Sequence, residues 1–104
     1  MKEVDALLDT GASYCMLTEN DATDLGDAVT RARRITVATA AGLIRIPRIH
    51  LMAIEVLGFR RIRVPVLVKD LAESGLKAII GWSFLDRFRL TIDARRRYLE
   101  LSSR

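Results

Sequence analysis

The sequence is poor in the residues that build metal centres and covalent cross-links. Its 104 residues include one cysteine, Cys15, and one histidine, His50. A single cysteine cannot form a disulfide within the chain, and one thiol with one imidazole is too few for a zinc site in one copy. We therefore expect no metal and no other cofactor. We interpret Cys15 as a small buried residue in preference to a redox control point, and His50 as a surface or packed residue.

Long apolar runs are also missing. No stretch approaches the roughly 20 residues that a membrane helix needs, and residues 1–5 lack the pattern of a signal peptide. The expectation is a soluble chain without a membrane segment, with the cytoplasm favoured. The sequence is also compatible with a piece cut from a longer or membrane-anchored protein.

The excess of positive charge is small. Seventeen Lys and Arg against 13 Asp and Glu give a formal net charge of +4, well below the density of a dedicated nucleic-acid binder, so we expect no nucleic-acid partner. Most of this charge is arginine in three clusters, which we interpret as solvated strand faces or loops. The clusters are Arg31, Arg33 and Arg34; Arg60, Arg61 and Arg63; and Arg95, Arg96 and Arg97.

The middle of the chain alternates apolar and polar residues with the period of half-buried strands. This pattern predicts a hairpin over residues 35–46 with its tip at 40–42, and a second over residues 50–68 that turns at Gly58. Pro65 fits the second hairpin only where its missing donor faces an edge or a bulge. The residues expected to point inward on the return strand are Ile62, Val64, Val66 and Val68.

Two short helices are expected. Residues 18–25 form the first, in which Thr18 and Asp21 make a capping arrangement and Gly26 stands where a helix would end. Residues 82–88 form the second, in which Ser83 and Asp86 repeat the capping arrangement. Its inward side chains, at three-residue spacings, are predicted to be Trp82, Leu85 and Phe88.

Strands over 90–93 and 98–101 flank a turn at 94–97. Half of the residues are hydrophobic, which is enough for the core of one compact domain. The fold expected from the residues is a small mainly-β domain with a closed or nearly closed sheet and two helical turns.

An apolar strand over residues 4–8 leads directly into Asp9, Thr10 and Gly11. This places a carboxylate on a tight loop at the end of a buried strand. A lone Asp-Thr-Gly also fits an ordinary turn, because all three residue types are common in turns. A second signal, the segment Ile79-Ile80-Gly81 before the second helix, favours a functional loop.

Together these segments resemble the retropepsin-like aspartic proteases, which are the retroviral proteases and their bacterial relatives. The resemblance covers most of the chain. The matching segments are the loop Asp9-Thr10-Gly11-Ala12-Ser13, the flap-like hairpin around Ala40, Ala41, Gly42 and Leu43, the element Ile79-Ile80-Gly81, and Gly81-Trp82-Ser83-Phe84-Leu85. The last corresponds to the Gly-x-Ser-Phe-Leu stretch of bacterial members. The family implies a closed small β-barrel that is active as a homodimer, with residues 1–104 as one domain.

The resemblance also implies roles for these residues. Asp9 would be the catalytic carboxylate, and each subunit of a homodimer would supply one such loop. Two close carboxylates share a proton, so the ionised one can take a proton from water while the other polarises the scissile carbonyl. Thr10 would bond across the dimer, and Gly11 would approach a polypeptide substrate. Loop support is assigned to Thr10, Gly11, Ala12 and Ser13, the flap to Ala40, Ala41, Gly42 and Leu43, and the cleft wall to Ile79, Ile80 and Gly81.

Some positions depart from the retroviral pattern. Only eight residues precede Asp9, so the family's first hairpin is expected to be cut away or replaced by another element. Trp82 stands where retroviral members tend to have an arginine that steadies the loop, and Ser13 where they often have an aspartate. In the retroviral members this arginine and this aspartate form an ion pair. Because both positions differ together in this sequence, we interpret the change as a mark of the bacterial branch.

The sequence favours two functions over a nucleic-acid role for the arginine clusters, which ranks third. The first is an aspartic endopeptidase, and the second is a catalytically inactive retropepsin-like module for dimerisation or peptide binding. The proposed flap tip also fits an ordinary hairpin turn, and Ile79 and Ile80 fit plain core packing equally well.

Overall fold

The protein is mainly β, as the sequence predicts. The computed structural model describes residues 3–24, 32–40, 42–71, 75 and 77–104. Within these ranges no helix is long and apolar enough to cross a membrane. The elements are β1 (Ala6–Leu8), β2 (Cys15–Leu17), α1 (Glu19–Asp24), β3 (Arg33–Thr39), β4 (Gly42–Val56), β5 (Phe59–Val68), β6 (Ala78–Ile80), α2 (Trp82–Leu85), β7 (Phe88–Asp93) and β8 (Tyr98–Ser103).

Six strands form one mixed sheet in the order β1-β6-β2-β5-β4-β3, while β7 and β8 form a separate antiparallel hairpin. The sheet is a curled half-barrel whose outer strands in this order are β1 and β3. The short strands β1, β2 and β6 lie together at one end of the sheet. This end carries the Asp9 loop.

Both predicted hairpins are present, and they share the long strand β4. The first part of β4, as far as Arg48, pairs with β3, and the part from Arg48 onward pairs with β5. Gly42 begins β4 with a φ of 117°, in the region that favours glycine. Ala41, at the tip, lies outside the described residues. The pairing of β5 with β2 begins at Val66, one residue after Pro65. Pro65 has no backbone N–H to donate, and it lies just outside this ladder, so the inner strand β5 tolerates it.

The core lies between the sheet, α2 and the β7–β8 hairpin. The ring of Phe84 stacks on that of Phe88 with centroids 5.2 Å apart, and Phe59 meets Phe88 edge to face at 5.2 Å. Cys15 is buried in β2, as its interpretation as a packed residue requires. The other side chains in this buried cluster are Leu17, Ala22, Ile49, Val64, Val66, Val68, Ala78, Ile80, Leu85 and Leu101.

The alternation predicted for β5 is wrong at Ile62. This side chain is 63% exposed, whereas Val64 is completely buried. Arg63 between them has a φ of 55°, which an extended strand does not allow. The strand therefore changes the face that it presents to the core at Arg63, and Ile62 turns outward.

The first helix agrees with its prediction. Thr18 Oγ1 accepts a hydrogen bond from the Asp21 backbone N–H at 3.3 Å and donates one to the Asp21 carboxylate at 3.0 Å. The predicted end of this helix, at residues 25 and 26, lies outside the described residues.

The second helix differs from its prediction in three respects. It ends at Leu85, and Phe88 already belongs to β7. Its N-cap is Gly81 with no side-chain cap, so the predicted caps from Ser83 and Asp86 are absent there. Trp82 is 39% exposed while Phe84 and Leu85 are fully buried, so the predicted inward position of Trp82 is wrong.

Arg61 is not part of a solvated face, which corrects the interpretation of its cluster. Its side chain is only 11% exposed. Its Nη1 atom donates to the carbonyls of Ser83 at 2.9 Å and Phe84 at 2.6 Å, and lies 2.6 Å from Asp86 Oδ1. Carbonyls in the last turn of a helix lack partners within the helix, so a buried guanidinium satisfies them. Arg61 therefore fixes α2 to β5.

The contacts of Arg61 predict its effect on stability. Arg61→Ala should lower the free energy of unfolding by about 2 kcal/mol, because charge-assisted hydrogen bonds to partly buried carbonyls are lost. Arg60→Ala, which changes an exposed neighbour on the same strand, is the matched control and should change it by less than about 0.5 kcal/mol. Urea denaturation at equal protein concentration measures both. Equal midpoints of urea denaturation for Arg61→Ala and Arg60→Ala would contradict the role of Arg61 in fixing α2.

Candidate active site

Asp9 lies at the carboxyl end of two adjacent parallel strands. Its neighbour Leu8 pairs with Ile80 where β1 and β6 run in parallel, and the Asp9 backbone N–H donates to the Ile80 carbonyl at 2.9 Å. On its other side β6 pairs antiparallel with β2, where Met16 is opposite Ile79. The strand β6 therefore lies between the two strands that the Asp9 loop connects, so both ends of the loop are fixed to it.

The Asp9 carboxylate is fixed by its own loop. The Gly11 backbone N–H donates to Asp9 Oδ1 at 2.8 Å, and the Ala12 N–H donates to the Asp9 carbonyl at 3.2 Å. A Cβ atom on Gly11 would lie 3.1 Å from Oδ1, closer than such atoms normally approach. Glycine at this position therefore lets a backbone donor reach the carboxylate. One carboxylate oxygen thus has a charge-assisted hydrogen bond of fixed direction.

The first amides of α2 bind carbonyls of the same loop. The Trp82 N–H donates to the Ala12 carbonyl and the Ser83 N–H to the Ser13 carbonyl, each at 2.9 Å. Amides in the first turn of a helix lack partners within the helix. The loop backbone supplies these partners, which explains why α2 uses no side-chain cap.

Ser83 has a different function from the predicted cap. Its Oγ accepts a hydrogen bond from the Cys15 N–H at 2.8 Å and donates one to the Pro65 carbonyl at 2.8 Å. The Ser83 hydroxyl therefore links the first residue of β2 to Pro65 of β5, which lies just before the first residue of β5 that pairs with β2. This contact gives a physical reason for serine in the Gly-x-Ser-Phe-Leu stretch.

Gly81 is the point of closest packing behind the loop. A Cβ atom there would lie 2.5 Å from the Ala12 carbonyl oxygen and 2.6 Å from that of Tyr14. Its φ of −113° is ordinary for any residue, so the requirement for glycine is steric. Of the predicted cleft wall, Ile80 is buried in the core and Ile79 is half-buried. Contact between these side chains and a substrate stays a prediction.

Trp82 makes a second contact with the loop that the sequence interpretation missed. Its indole Nε1–H donates to the Thr10 carbonyl at 2.7 Å. The three-residue spacing with Leu85 and Phe88 favoured an inward ring, whereas the ring lies over the loop and is partly exposed. The signal available in the sequence was the position of Trp82 directly after Gly81, at the point where the chain passes the loop.

The predicted flap residues are not brought to Asp9 by strand pairing. Gly42 pairs with Thr39 and Leu43 with Ala38, in the hairpin at the opposite end of the sheet order from β1. Ala40 is exposed, and the Leu43 side chain is 74% exposed. Closure of this hairpin over a bound peptide stays a prediction.

The site has no metal-binding constellation among the residues that the structure describes. Within those ranges, no group of three His, Cys, Asp or Glu side chains could hold an ion. His50 is exposed on β4, opposite Pro65.

The packing of Gly81 predicts an unusually costly substitution. Gly81→Ala should lower the free energy of unfolding by about 3 kcal/mol, because the clashing atoms belong to the backbone and cannot rotate away. Gly58→Ala is a useful comparison, since a Cβ there meets nothing within 4 Å although φ is 82°. It should cost about 1 kcal/mol, through backbone strain alone. A smaller loss for Gly81→Ala than for Gly58→Ala in urea denaturation would refute the steric account.

Comparisons with known proteins agree with this geometry. The family model described as "gag-polyprotein putative aspartyl protease" matches residues 1–87. A search of curated proteins returned no significant match. Among solved structures, a retropepsin-like aspartic protease from Rickettsia conorii aligns with a TM-score of 0.69 and 33% sequence identity, over 90% of this chain and 69% of that one.

A second structure supports the fold alone. The retroviral protease-like domain of Ddi1 from Leishmania major aligns with a TM-score of 0.60 and 24% identity, over 94% of this chain and 78% of that one. Together with the mainly-β half-barrel and the Asp-Thr-Gly loop, the family match over residues 1–87 shows that the chain belongs to the retropepsin-like, gag-type family of aspartyl proteases.

Proposed function

We propose that the protein is an aspartic endopeptidase that works as a homodimer, with Asp9 of each copy as the catalytic carboxylate. The observation that carries the proposal is the fixed direction of the Asp9 side chain. One carboxylate oxygen accepts the Gly11 N–H at 2.8 Å, and the backbone before it is fixed to Ile80 at 2.9 Å. A contact of this kind also occurs in ordinary Asx turns. Here, however, the first amides of α2 also bind the loop carbonyls of Ala12 and Ser13, and a loop fixed from both sides suits a preorganised catalytic carboxylate.

The proposed chemistry requires a second carboxylate, which we assign to Asp9 of a second copy. Asp-Thr-Gly occurs once in the 104 residues, and a single carboxylate cannot act as base toward water and acid toward the peptide carbonyl in the same step. Two Asp9 loops related by a twofold axis supply one ionised and one protonated group.

The exposed tip of the loop supports this assembly. Thr10 and Gly11 are exposed, and Leu7 on β1 leaves 46% of its surface accessible. We assign Thr10 a hydrogen bond to the loop of the second copy. In the same assembly Ala12 and Ser13 support the loop through their carbonyl contacts with α2.

The proposed substrate is an extended polypeptide that lies between the two copies and is bound largely through its backbone. The residues Ala40, Ala41, Gly42 and Leu43 are proposed to close over it. A closed hairpin excludes water from the reacting bond and strengthens the electrostatic contacts there. Leu43, with 74% of its side chain exposed, would provide an apolar contact.

Removing the charge of Asp9 tests the mechanism. Asp9→Asn should reduce cleavage of a peptide library by roughly 10²–10⁴-fold, because the base is lost while the shape of the side chain is kept. Asp5→Asn, which changes an exposed carboxylate in the segment before the loop, is the matched control and should cleave like the wild type. Mass spectrometry of the products and far-UV circular dichroism measure cleavage and folding. Undiminished cleavage by Asp9→Asn would exclude this mechanism.

Mixing subunits tests whether the site is shared between copies. After an equal mixture of wild type and Asp9→Asn has exchanged subunits, only about one quarter of the dimers carry two intact loops, so activity per total protein should fall to about one quarter. A mixture with Asp5→Asn should keep full activity. Activity that falls only to one half would mean that each chain works alone. A wild-type dimer with no cleavage at any pH would instead favour the non-enzymatic dimerisation or peptide-binding module.

A further inference from the structure

We propose that Trp82 is a positioning residue for the Asp9 carboxylate and that it acts through the peptide bond between Thr10 and Gly11. The inference rests on the proposed function of Asp9. Two contacts carry it, because they meet on opposite sides of one peptide bond. The indole Nε1–H of Trp82 donates to the Thr10 carbonyl at 2.7 Å, and the Gly11 N–H donates to Asp9 Oδ1 at 2.8 Å.

The geometry of the peptide bond connects these two contacts. The Thr10 carbonyl and the Gly11 N–H belong to the same planar unit and point in opposite directions. Any rotation that turns the carbonyl away from the indole also turns the N–H away from the carboxylate. Fixing the carbonyl therefore fixes the donor that orients Asp9, and hydrogen bonds in such a chain also polarise one another.

Trp82 contacts the loop at two successive points. Besides the indole contact, its backbone N–H donates to the Ala12 carbonyl at 2.9 Å. The backbone contact is available to any residue other than proline at this position, whereas the contact to Thr10 requires a side-chain donor. Thr10 and Gly11 are exposed, so without the indole this peptide would be solvated by mobile water and its orientation would be less defined.

The effect can be observed directly at Gly11. An amide proton that donates to a carboxylate resonates at low field, so the Gly11 amide proton reports the Asp9 contact by nuclear magnetic resonance. Trp82→Phe keeps an aromatic ring and the backbone donor but removes the indole N–H, and it should move the Gly11 resonance upfield. Asp9→Asn should also move it upfield, which identifies the carboxylate as the acceptor. Tyr98→Phe, which removes a hydrogen bond to Glu100 from an exposed ring, should leave it unchanged.

A second replacement covers the case in which Trp82→Phe does not fold. The chain has a single tryptophan, so growth with benzothienylalanine, an isostere with sulfur in place of the ring N–H, changes Trp82 alone. The ring shape is kept and only the donor is lost. The same upfield movement of the Gly11 amide proton is expected.

Kinetics distinguish positioning from a general loss of structure. In both Trp82 replacements we expect kcat to fall about fivefold, as befits one net hydrogen bond. KM should change by less than about twofold, since the lost hydrogen bond is one to the loop. A Gly11 resonance that stays in place in both replacements would overturn the inference. If the wild type cleaves no peptide, the proposed function fails, whereas the Gly11 resonance still decides whether Trp82 orients Asp9.

Discussion

The close approach of Gly81 to the backbone of the Asp9 loop is the constraint on which the rest of the site depends. Because Gly81 has no side chain, the start of α2 can lie against the carbonyls of Ala12 and Tyr14. At this distance the first helix amides reach the loop carbonyls, and the Trp82 indole reaches Thr10. The loop is too short to build a core of its own, so its conformation is determined by hydrogen bonds to β6 and α2.

The helix α2 is itself fixed from two sides. Phe84 and Leu85 are completely buried, and the Arg61 guanidinium binds carbonyls near the end of the helix. Ser83 joins the neighbouring backbones of Cys15 and Pro65. The orientation of one carboxylate thus depends on the packing and the bridging hydroxyl of α2, and on the partly buried guanidinium of Arg61 on β5, all of them far from Asp9 in the sequence.

The sequence predicted the elements whose patterns are local. Period-two alternation identified both hairpins that share β4, and the Thr18–Asp21 cap identified α1. The motif at Asp9 and the segment Ile79-Ile80-Gly81 identified the two segments that the structure brings together.

Features that arise from long-range contacts were missed or misinterpreted. The face change at Arg63 depends on an unusual backbone angle that alternation does not reveal, and it turned Ile62 outward. Arg61 resembles a solvated arginine until the position of α2 is known. Ser83 and Trp82 lie on a helix too short for three-residue spacing to decide which way they point, so their partners depend on tertiary structure.

We propose that the carboxylate oriented by this network is half of a pair that a second copy of the chain completes. The most direct measurement is a crystal structure of the protein with a statine-type peptide, whose hydroxyl replaces the attacking water. We expect the Asp9 carboxylates of both copies to lie within hydrogen-bond distance of that single hydroxyl, related by a twofold axis. Two Asp9 side chains far apart in the complex, or a peptide bound away from both, would contradict this proposal.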